Sequence, residues 1–209
     1  MSLLKSSRSV SRNTFENHAN FYDTSGIINT YLDKWDNEIL KLNLPRPLLD
    51  MGCGPGRLIE KLLQEYDGDI YGVDITLSGL SLAQEKILGL GKTPLLTEAG
   101  LEELPYKAKS FRTLAMTGVL HHLEKPKLVL AEAARVLDDF GLLLIADPYF
   151  PPLMRQFINM MLSIYPVTGD RRFYTEAGIT KLAKIHGFEK KSVYDIPLAY
   201  ILVFQKCCS

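Results

Sequence analysis

A glycine-rich segment at residues 50–57, Asp-Met-Gly-Cys-Gly-Pro-Gly-Arg, lies between a short apolar run and a helical pattern. Glycines at such a junction let the backbone turn tightly and approach a ligand closely. The spacing G-x-G-x-G differs from the dinucleotide fingerprint G-x-G-x-x-G, because Arg57 stands where the last glycine would be. Asp50 would repel a pyrophosphate and attract a cationic amino group. The segment therefore predicts a binding loop for a cationic, amino-acid-like ligand; the alternative is a strand-to-helix turn that binds nothing.

A second acidic residue, Asp74, ends the next apolar run, IYGVD. Open α/β sheets bind ligands at the carboxyl ends of their strands, so we expect Asp74 to lie near the glycine-rich segment. A carboxylate in this place can accept hydrogen bonds from both hydroxyls of a ribose. The alternative is that Asp74 only caps the segment that follows it.

Two adjacent histidines, His121 and His122, are candidates for proton transfer or for metal binding. They have no acidic or cysteine partner at ligand spacing, so the sequence predicts no metal site. A catalytic role for one of them and a structural hydrogen-bonding role are both open. Cys53 is expected to be a small buried side chain rather than a nucleophile.

The elements that must position these residues alternate along the chain. A helical pattern extends from Ile27 to Leu42, with Thr24 and Ser25 as candidate caps. After Pro47, short apolar runs (PLLDM, DIYGVD, TPLLTE, SFRTLAMT, GLLLIAD) alternate with helical patterns (RLIEKLLQEY, SGLSLAQEKILG, PKLVLAEAARVL). This alternation predicts an α/β fold with a mostly parallel sheet and helices on both faces.

The later part of the chain departs from strict alternation. Gly141 is expected to form the turn into the fifth strand, and Thr175 to cap a helix over TEAGITKLAKIHG. The runs FEKKSVYDI and AYILVFQK, separated by Pro197, are too close for a crossover helix and should pair antiparallel. Residues 148–174 are rich in Met, Phe, Tyr and Ile, and form either a helix that seals the core or a lid over an apolar pocket. We favour the lid.

Composition limits the classes of function. The 209 residues include 24 basic and 24 acidic side chains, so nothing general attracts nucleic acid or an anionic membrane surface. No apolar run approaches the roughly 20 residues of a membrane span, and the first residues lack a signal-peptide core. The three cysteines have neither disulfide-framework nor zinc spacing. These features predict a cytoplasmic protein with a flexible entry segment at residues 1–24 and one domain at residues 25–209.

Several motifs together resemble the signature of class I S-adenosylmethionine-dependent methyltransferases. They are the glycine-rich segment, Asp74, LEELPY at residues 101–106, VLHHL at residues 119–123 and the antiparallel last strand. FENHANFYD at residues 15–23, with VLHHL and ARVL, is similar to the small-molecule branch that includes ubiquinone and menaquinone biosynthesis methyltransferases. The resemblance implies a Rossmann-like, seven-stranded sheet in the order 3-2-1-4-5-7-6 and S-adenosyl-L-methionine as the cofactor.

The resemblance also implies which residues contact the cofactor. In such proteins the glycine loop faces the methionine and ribose parts, and the acid after the second strand holds the ribose. The expected contacts are Asp50, Met51, Gly52, Cys53, Gly54, Gly56, Asp74, Ile75, Gly100, Leu101, Thr117 and Gly118. Tyr22 resembles an entry-segment tyrosine that closes over the cofactor, although a buried aromatic residue explains it equally well. The candidate catalytic residues are therefore Tyr22, His121 and His122.

Two positions depart from the family pattern. Relatives usually have an aspartate before the stretch that matches LEELPY, where it binds the adenine amino group, and this chain has Gly100. The backbone N–H of Leu101 can still bond the adenine ring, whereas Glu98 could substitute only with a rearranged loop. Relatives also commonly have Ser-Phe-Asp at the start of the fourth strand, where this chain has Arg112 in place of the aspartate.

The sequence as a whole predicts transfer of a methyl group from S-adenosylmethionine to a small, apolar or amphipathic molecule. One alternative is a non-catalytic methyltransferase-like binding domain, which Gly100 and Arg112 support. The other is a nicotinamide-dependent oxidoreductase, against which Arg57, Asp50 and the antiparallel last strand all weigh. Neither the acceptor molecule, nor the methylated atom, nor the oligomeric state follows from the residues.

Overall fold

The computed structural model describes residues 26–164 and 169–208 of the chain, which form a central sheet between two layers of helices. The strands are β1 (Leu48–Met51), β2 (Ile70–Asp74), β3 (Leu96–Glu98), β4 (Phe111–Thr117), β5 (Leu137–Pro148), β6 (Phe188–Ile196) and β7 (Ala199–Lys206). The helices are α1 (Gly26–Leu40), α2 (Arg57–Glu65), α3 (Leu77–Gly89), α4 (Pro126–Val136), α5 (Pro152–Ile164) and α6 (Glu176–Ile185), with a 3₁₀ turn at Leu120–His122.

The sheet has seven strands in the order β3-β2-β1-β4-β5-β7-β6. Strands β1 to β5 are mutually parallel, and β7 pairs antiparallel with both β5 and β6. Only Pro197 and Leu198 separate β6 from β7, a connection too short for the crossover that parallel strands need. The predicted strand order and the antiparallel last strand are confirmed.

Adjacent residues of each strand supply the two faces of the sheet, because successive side chains point in opposite directions. Leu48 and Leu144 lie in a cluster with apolar side chains of α1, α2 and α3, whereas Leu49 and Leu143 lie in a second cluster with those of α4 and α6. Because both faces of the sheet are buried, the sequences of the strands are nearly continuous runs of apolar residues. The predicted layers of helices on both faces are also confirmed.

The carboxyl ends of β1 to β5 lie at one edge of the sheet, because these strands are parallel. Asp50 and Asp74 stand near the ends of β1 and β2, and Thr117 and Asp147 near the ends of β4 and β5. Directly after residues 148–174, Thr175 caps α6 as predicted, with its hydroxyl oxygen accepting the N–H of Gly178 at 2.9 Å. The fold thus brings the polar residues that the sequence singled out to the edge where open α/β sheets bind ligands.

The prediction that Gly141 forms the turn into the fifth strand is wrong. Strand β5 begins at Leu137, directly after α4 ends at Val136. Its register against β4 shifts near its start, and Phe140 has a φ of 62°. Gly141 lies within this irregular stretch, where a Cβ would come within 2.7 Å of Leu137 Cγ. The glycine therefore serves a bulge inside the strand.

Two further expectations concern the entry segment and membrane-spanning helices. The whole predicted entry segment at residues 1–24, with Tyr22, lies outside the residues that the structure describes, as do the candidate helix caps Thr24 and Ser25. Within the described ranges, every helix is too short or too polar to cross a membrane.

Candidate active site

Three glycines of the glycine loop (residues 50–57) have a left-handed backbone, with φ of 80° at Gly52, 49° at Gly54 and 75° at Gly56. Any other residue in this conformation costs about 1–2 kcal/mol. Close packing adds a second requirement at two of them. A Cβ on Gly52 would lie 2.7 Å from Cγ2 of Val119, and one on Gly56 would lie 2.6 Å from Cβ of Ala83. These two glycines are needed for the fold itself.

Gly54 differs, because no atom lies within 4 Å of the place that its Cβ would take. Its N–H donates to Oδ2 of Asp74 at 2.8 Å, and the N–H groups of Gly52 and Cys53 donate to the carbonyl oxygen of Val73 at 2.7 and 3.1 Å. The loop is therefore fixed to β2 while its middle glycine leaves open space. Such a bare backbone allows a ligand to approach closely.

Asp74 both stabilises the loop and retains capacity for a ligand. Its Oδ1 accepts the N–H and the hydroxyl of Thr76 at 2.9 and 2.7 Å, and its Oδ2 accepts the N–H of Gly54. An ionised carboxylate has about four acceptor positions, so Oδ2 can take one more hydrogen bond. The capping role and the ligand-binding role that the sequence allowed are thus compatible.

Asp50 is a buried carboxylate without a compensating contact. It is 1% exposed, and its Oδ1 has no hydrogen-bond partner among the described residues. Burial, together with the charges of Asp36 and Asp74, raises the pKa of Asp50 to about 7, against the opposing charge of Arg57. An unpartnered buried carboxylate is unfavourable by itself, and a cationic ligand group beside it would relieve that cost.

Arg57 has a structural role that the sequence did not suggest. It opens α2 and forms an ion pair with Asp36 of α1, and its guanidinium also donates to the carbonyl oxygen of Leu32 at 3.0 Å. Asp36 is fully buried, and burial raises its pKa although Arg57 and Lys61 oppose the change. The residue that breaks the dinucleotide fingerprint therefore fixes α1 against the glycine loop.

The loop and its carboxylates fit S-adenosylmethionine. The α-ammonium of its methionine part would give the buried Asp50 a counter-charge, and the open space at Gly54 admits a ligand next to the backbone. Asp74 has an acceptor position for a ribose hydroxyl. A pyrophosphate would meet two carboxylates instead, which disfavours a dinucleotide.

The other residues expected to contact the cofactor lie around this loop or at the same edge. Met51 and Cys53 are buried, Ile75 is half-buried, and burial raises the pKa of the Cys53 thiol well above its ordinary value, which makes it a poor nucleophile. Further along the edge, Leu101 is buried, and Gly100, Thr117 and Gly118 are half-buried. The N–H of Gly118 donates to the carbonyl oxygen of Ala146 at 2.8 Å, which ties the end of β4 to β5.

A histidine cluster, made of His121, His122, Asp147 and Asp170, lies at the carboxyl ends of β4 and β5. Nδ1 of His121 is 2.9 Å from Oδ1 of Asp147, and its Nε2 is 3.6 Å from Oδ1 of Asp170. Nδ1 of His122 is 2.9 Å from that same oxygen of Asp170. Each histidine thus has the acidic partner that sequence spacing did not reveal.

Charge and burial act in opposite directions on the two histidines. Burial lowers the pKa of His121, but Asp147 and Asp170 outweigh it and leave the pKa above its ordinary value. Burial and the neighbouring His121 lower the pKa of His122, although Asp170 opposes them. With Asp147 on one ring nitrogen and Asp170 near the other, His121 has no nitrogen directed at open space.

The insertion at residues 148–174 contacts this cluster through Phe173. The Phe173 ring stacks on His121 with centroids 5.0 Å apart, and Phe150 packs edge-on against Phe173. Asn159 of α5 holds the Phe173 backbone by two hydrogen bonds, of 2.8 and 2.9 Å. No residue of α5 is buried, and Leu153 is 83% exposed. Among the described residues, this exposure favours a lid over a helix that seals the core, and the lid stays a prediction.

Arg112, the second departure from the family pattern, is exposed at the start of β4, and its N–H donates to the carbonyl oxygen of Pro47 at 2.9 Å. At an exposed position either charge is well hydrated. Arg112 also lies at the amino end of β4, at the edge of the sheet opposite the glycine loop.

Comparison with known proteins gives the fold and site a family context. Residues 49–145 match a family described as a methyltransferase domain. A malonyl-[acyl-carrier protein] O-methyltransferase of Legionella pneumophila is 31% identical over 101 residues, which cover 48% of this chain and 35% of that protein. A mitochondrial ubiquinone biosynthesis O-methyltransferase of Candida albicans is 26% identical over 125 residues, covering 56% of this chain and 36% of that protein. The chain thus spans only about a third of the length of these two relatives.

The fold is also found among solved structures. An S-adenosylmethionine-dependent methyltransferase of Thermotoga maritima superimposes with a TM-score of 0.71 at 20% identity, covering 93% of this chain and 99% of that one. At this level of identity the likeness concerns the fold alone. The matched residues 49–145 contain the glycine loop, Asp74 and both histidines.

Proposed function

Because the chain is a class I methyltransferase in fold and contains a methyltransferase domain at residues 49–145, we propose that it transfers a methyl group from S-adenosylmethionine to a small molecule. One observation carries the proposal. A glycine loop with open space at Gly54 lies between two carboxylates, Asp50 and Asp74, and Oδ1 of the buried Asp50 has no hydrogen-bond partner among the described residues. This arrangement suits a cofactor that combines an ammonium group with a ribose.

Each carboxylate has its own part in cofactor binding. Asp50 attracts the ammonium group, and Asp74 accepts a ribose hydroxyl while it keeps the loop in shape through Gly54 and Thr76. Leu101, buried beyond β3, offers its backbone to the adenine ring. Gly100 supplies no carboxylate for the adenine amino group, so adenine is held by fewer polar contacts than in most relatives.

The cofactor supplies an activated methyl group on a sulfonium sulfur, and the protein supplies alignment. Holding the acceptor atom in line with the methyl group makes the displacement effectively unimolecular. A closed site also excludes water from the reaction. The carboxylates of Asp50 and Asp74 also attract the positively charged sulfonium to this edge of the sheet. This chemistry requires no covalent enzyme intermediate, in agreement with the buried, high-pKa thiol of Cys53.

The acceptor is proposed to be small and apolar or amphipathic. The balanced total charge does not suggest a basic groove for a polymer. The ring of Phe173 stacks on His121, and the ring of Phe150 packs edge-on against Phe173. We further propose that residues 1–24 and the insertion close over the acceptor as a lid. The apolar side chains of α5 support this idea, because many of them are exposed in the part of the chain that the structure describes: Leu153, Met154, Phe157, Met160, Met161 and Ile164.

Cofactor binding and transfer are tested in sequence. Calorimetry with S-adenosylhomocysteine should give one binding event, whereas NADH should give none. Incubation with S-adenosylmethionine carrying a labelled methyl group and a metabolite extract should then label a small molecule. Binding without any transfer would support the non-catalytic alternative, and absence of binding would contradict the proposal.

The lid has a separate test. Hydrogen exchange should show residues 10–30 and 150–174 poorly protected in the free protein and better protected with S-adenosylhomocysteine, while the strands barely change. Removal of residues 1–24 should reduce turnover more than stability. Protection of the insertion equal to that of the strands in the free protein, with normal turnover after truncation, would refute the lid.

A further inference from the structure

The histidine cluster contains a distance that a hydrogen bond does not explain. Asp147 carries no proton to donate when ionised, so the 2.9 Å contact makes Nδ1 of His121 the donor and fixes its tautomer. Nε2 of His121 lies 3.6 Å from Oδ1 of Asp170, which is longer than a hydrogen bond. A divalent cation that takes the place of a proton on Nε2 would be bound by both of these atoms.

We propose that His121 Nε2, His122 Nδ1 and an Asp170 carboxylate oxygen form a binding site for a divalent transition-metal ion such as Zn²⁺. These three ligand atoms all lie within 4.8 Å of one another. Zinc bonds of about 2.0–2.2 Å in tetrahedral geometry place neighbouring ligand atoms about 3.3 Å apart. The two distances to Asp170, 2.9 and 3.6 Å, lie on either side of that value.

The chemistry of the donors supports the same class of ion. Two imidazoles and one carboxylate suit zinc and similar borderline metals better than Mg²⁺ or Ca²⁺, which prefer oxygen ligands. Three protein ligands leave a coordination position open, as in catalytic rather than structural zinc sites. Asp147 provides the carboxylate that would orient a metal-bound His121 through its other ring nitrogen, Nδ1.

The three ligand residues come from two separate parts of the chain. His121 and His122 belong to the 3₁₀ turn after β4, and Asp170 belongs to the insertion. The N–H groups of Arg171 and Arg172 donate to the carbonyl oxygen of His121 at 2.7 and 3.1 Å, and Phe173 stacks on its ring. An ion in this place would join the insertion to the sheet. The inference concerns metal binding and does not depend on methyl transfer.

The test is a zinc titration of chelator-treated protein without S-adenosylmethionine. The parent for all variants carries Cys207→Ser and Cys208→Ser, because these two exposed cysteines are adjacent and could bind zinc themselves. Calorimetry should give one Zn²⁺ per chain. His122→Ala and Asp170→Asn should each weaken binding by more than about tenfold. Asp147→Asn should weaken it by roughly 10- to 100-fold, because Asp147 orients the ring of His121.

His186→Gln is the matched control, because His186 lies at the end of α6 outside the cluster, and this variant should bind zinc like the parent. Where a cluster variant does not fold, the folded parent is titrated with Co²⁺, and strong visible absorption bands should show four-coordinate binding. No zinc binding, no cobalt bands, or equal zinc binding by folded His122→Ala and Asp170→Asn would overturn the proposal.

Discussion

The glycine loop and the histidine cluster lie at the same edge of one sheet, yet they are built in different ways. The loop is one continuous segment whose backbone is set by three positive-φ glycines and by its contacts with β2. The cluster gathers side chains from the 3₁₀ turn, from β5 and from the insertion. A binding site formed by the backbone of one segment can be predicted from the spacing of its residues. A site formed by side chains from distant segments depends on the tertiary fold.

The largest expected effect is that of Gly54→Val, which should abolish binding of S-adenosylhomocysteine. The branched side chain would fill the space that the structure leaves open at this glycine. Calorimetry measures the loss. Gly68→Val is the control, because Gly68 also has a positive φ, of 83°, and no atom near its Cβ position, but it precedes β2 at the opposite edge. Equal binding by folded Gly54→Val and Gly68→Val would mean that the loop is not the cofactor site.

Asp50→Asn should change the pH dependence of stability. The pKa of Asp50 is about 7 in the folded protein and about 3.8 when exposed, so the folded state binds the extra proton. The wild-type protein therefore loses stability from this group as the pH rises from about 4 to 7, by up to about 4 kcal/mol at 1.36 kcal/mol per pKa unit. Above pH 7 the loss is complete and constant.

Urea unfolding at pH 5, 6, 7 and 8 measures this effect. Because the side chain in Asp50→Asn cannot ionise, the free energy of unfolding of this variant should rise relative to that of the wild-type protein between pH 5 and 7. The same variant should bind S-adenosylhomocysteine more weakly at pH 8, where the wild-type carboxylate is ionised. A constant difference in stability across the four pH values would contradict the raised pKa.

Asp74→Ala should weaken S-adenosylhomocysteine binding by about 1.5–3 kcal/mol, the range for hydrogen bonds to a charged group, without unfolding the domain. Thr76→Ala sharpens the comparison, since it removes one hydrogen bond to Oδ1 of Asp74 and leaves Oδ2 free to accept. It should reduce affinity much less. If both variants lose the same affinity, Asp74 acts by shaping the loop rather than by touching the ribose.

The smallest effect is expected from Gly100→Asp, which restores the carboxylate that relatives use for adenine. Gly100 is not among the described glycines with a positive φ, so a side chain there would not face the strain of a left-handed backbone. Binding of S-adenosylhomocysteine should strengthen by about 0.5–1.5 kcal/mol. Weaker binding by a folded variant would mean that adenine occupies the space next to Gly100.

Much of the fold was predictable, because alternating apolar runs and helical patterns specify a parallel sheet with little ambiguity. The strand order followed from the family resemblance and is confirmed. Gly141 was misassigned because glycines at helix ends and glycines in strand bulges look alike in sequence. The start of β5 at Leu137 is set by pairing with β4, which the local sequence does not show.

The glycine loop was easier to predict from the sequence than the histidine cluster. Glycine at positions 52, 54 and 56 itself indicates the left-handed backbone found there. The prediction of no metal site used sequence spacing alone, which cannot show that Oδ1 of Asp170 lies 2.9 Å from Nδ1 of His122. Nor could spacing reveal that Asp50 is buried without a partner, since that depends on α1, α2 and β2 around it.

The antiparallel course of β7 also determines where the reactive thiols of the protein stand. Gln205 pairs with Leu142 near the amino end of β5, so Cys207 and Cys208 lie at the edge of the sheet opposite the glycine loop. Both are exposed, whereas Cys53 is buried with a raised pKa. A maleimide probe should therefore attach at the far edge alone, and a protein immobilised through it would present its binding edge to the solution.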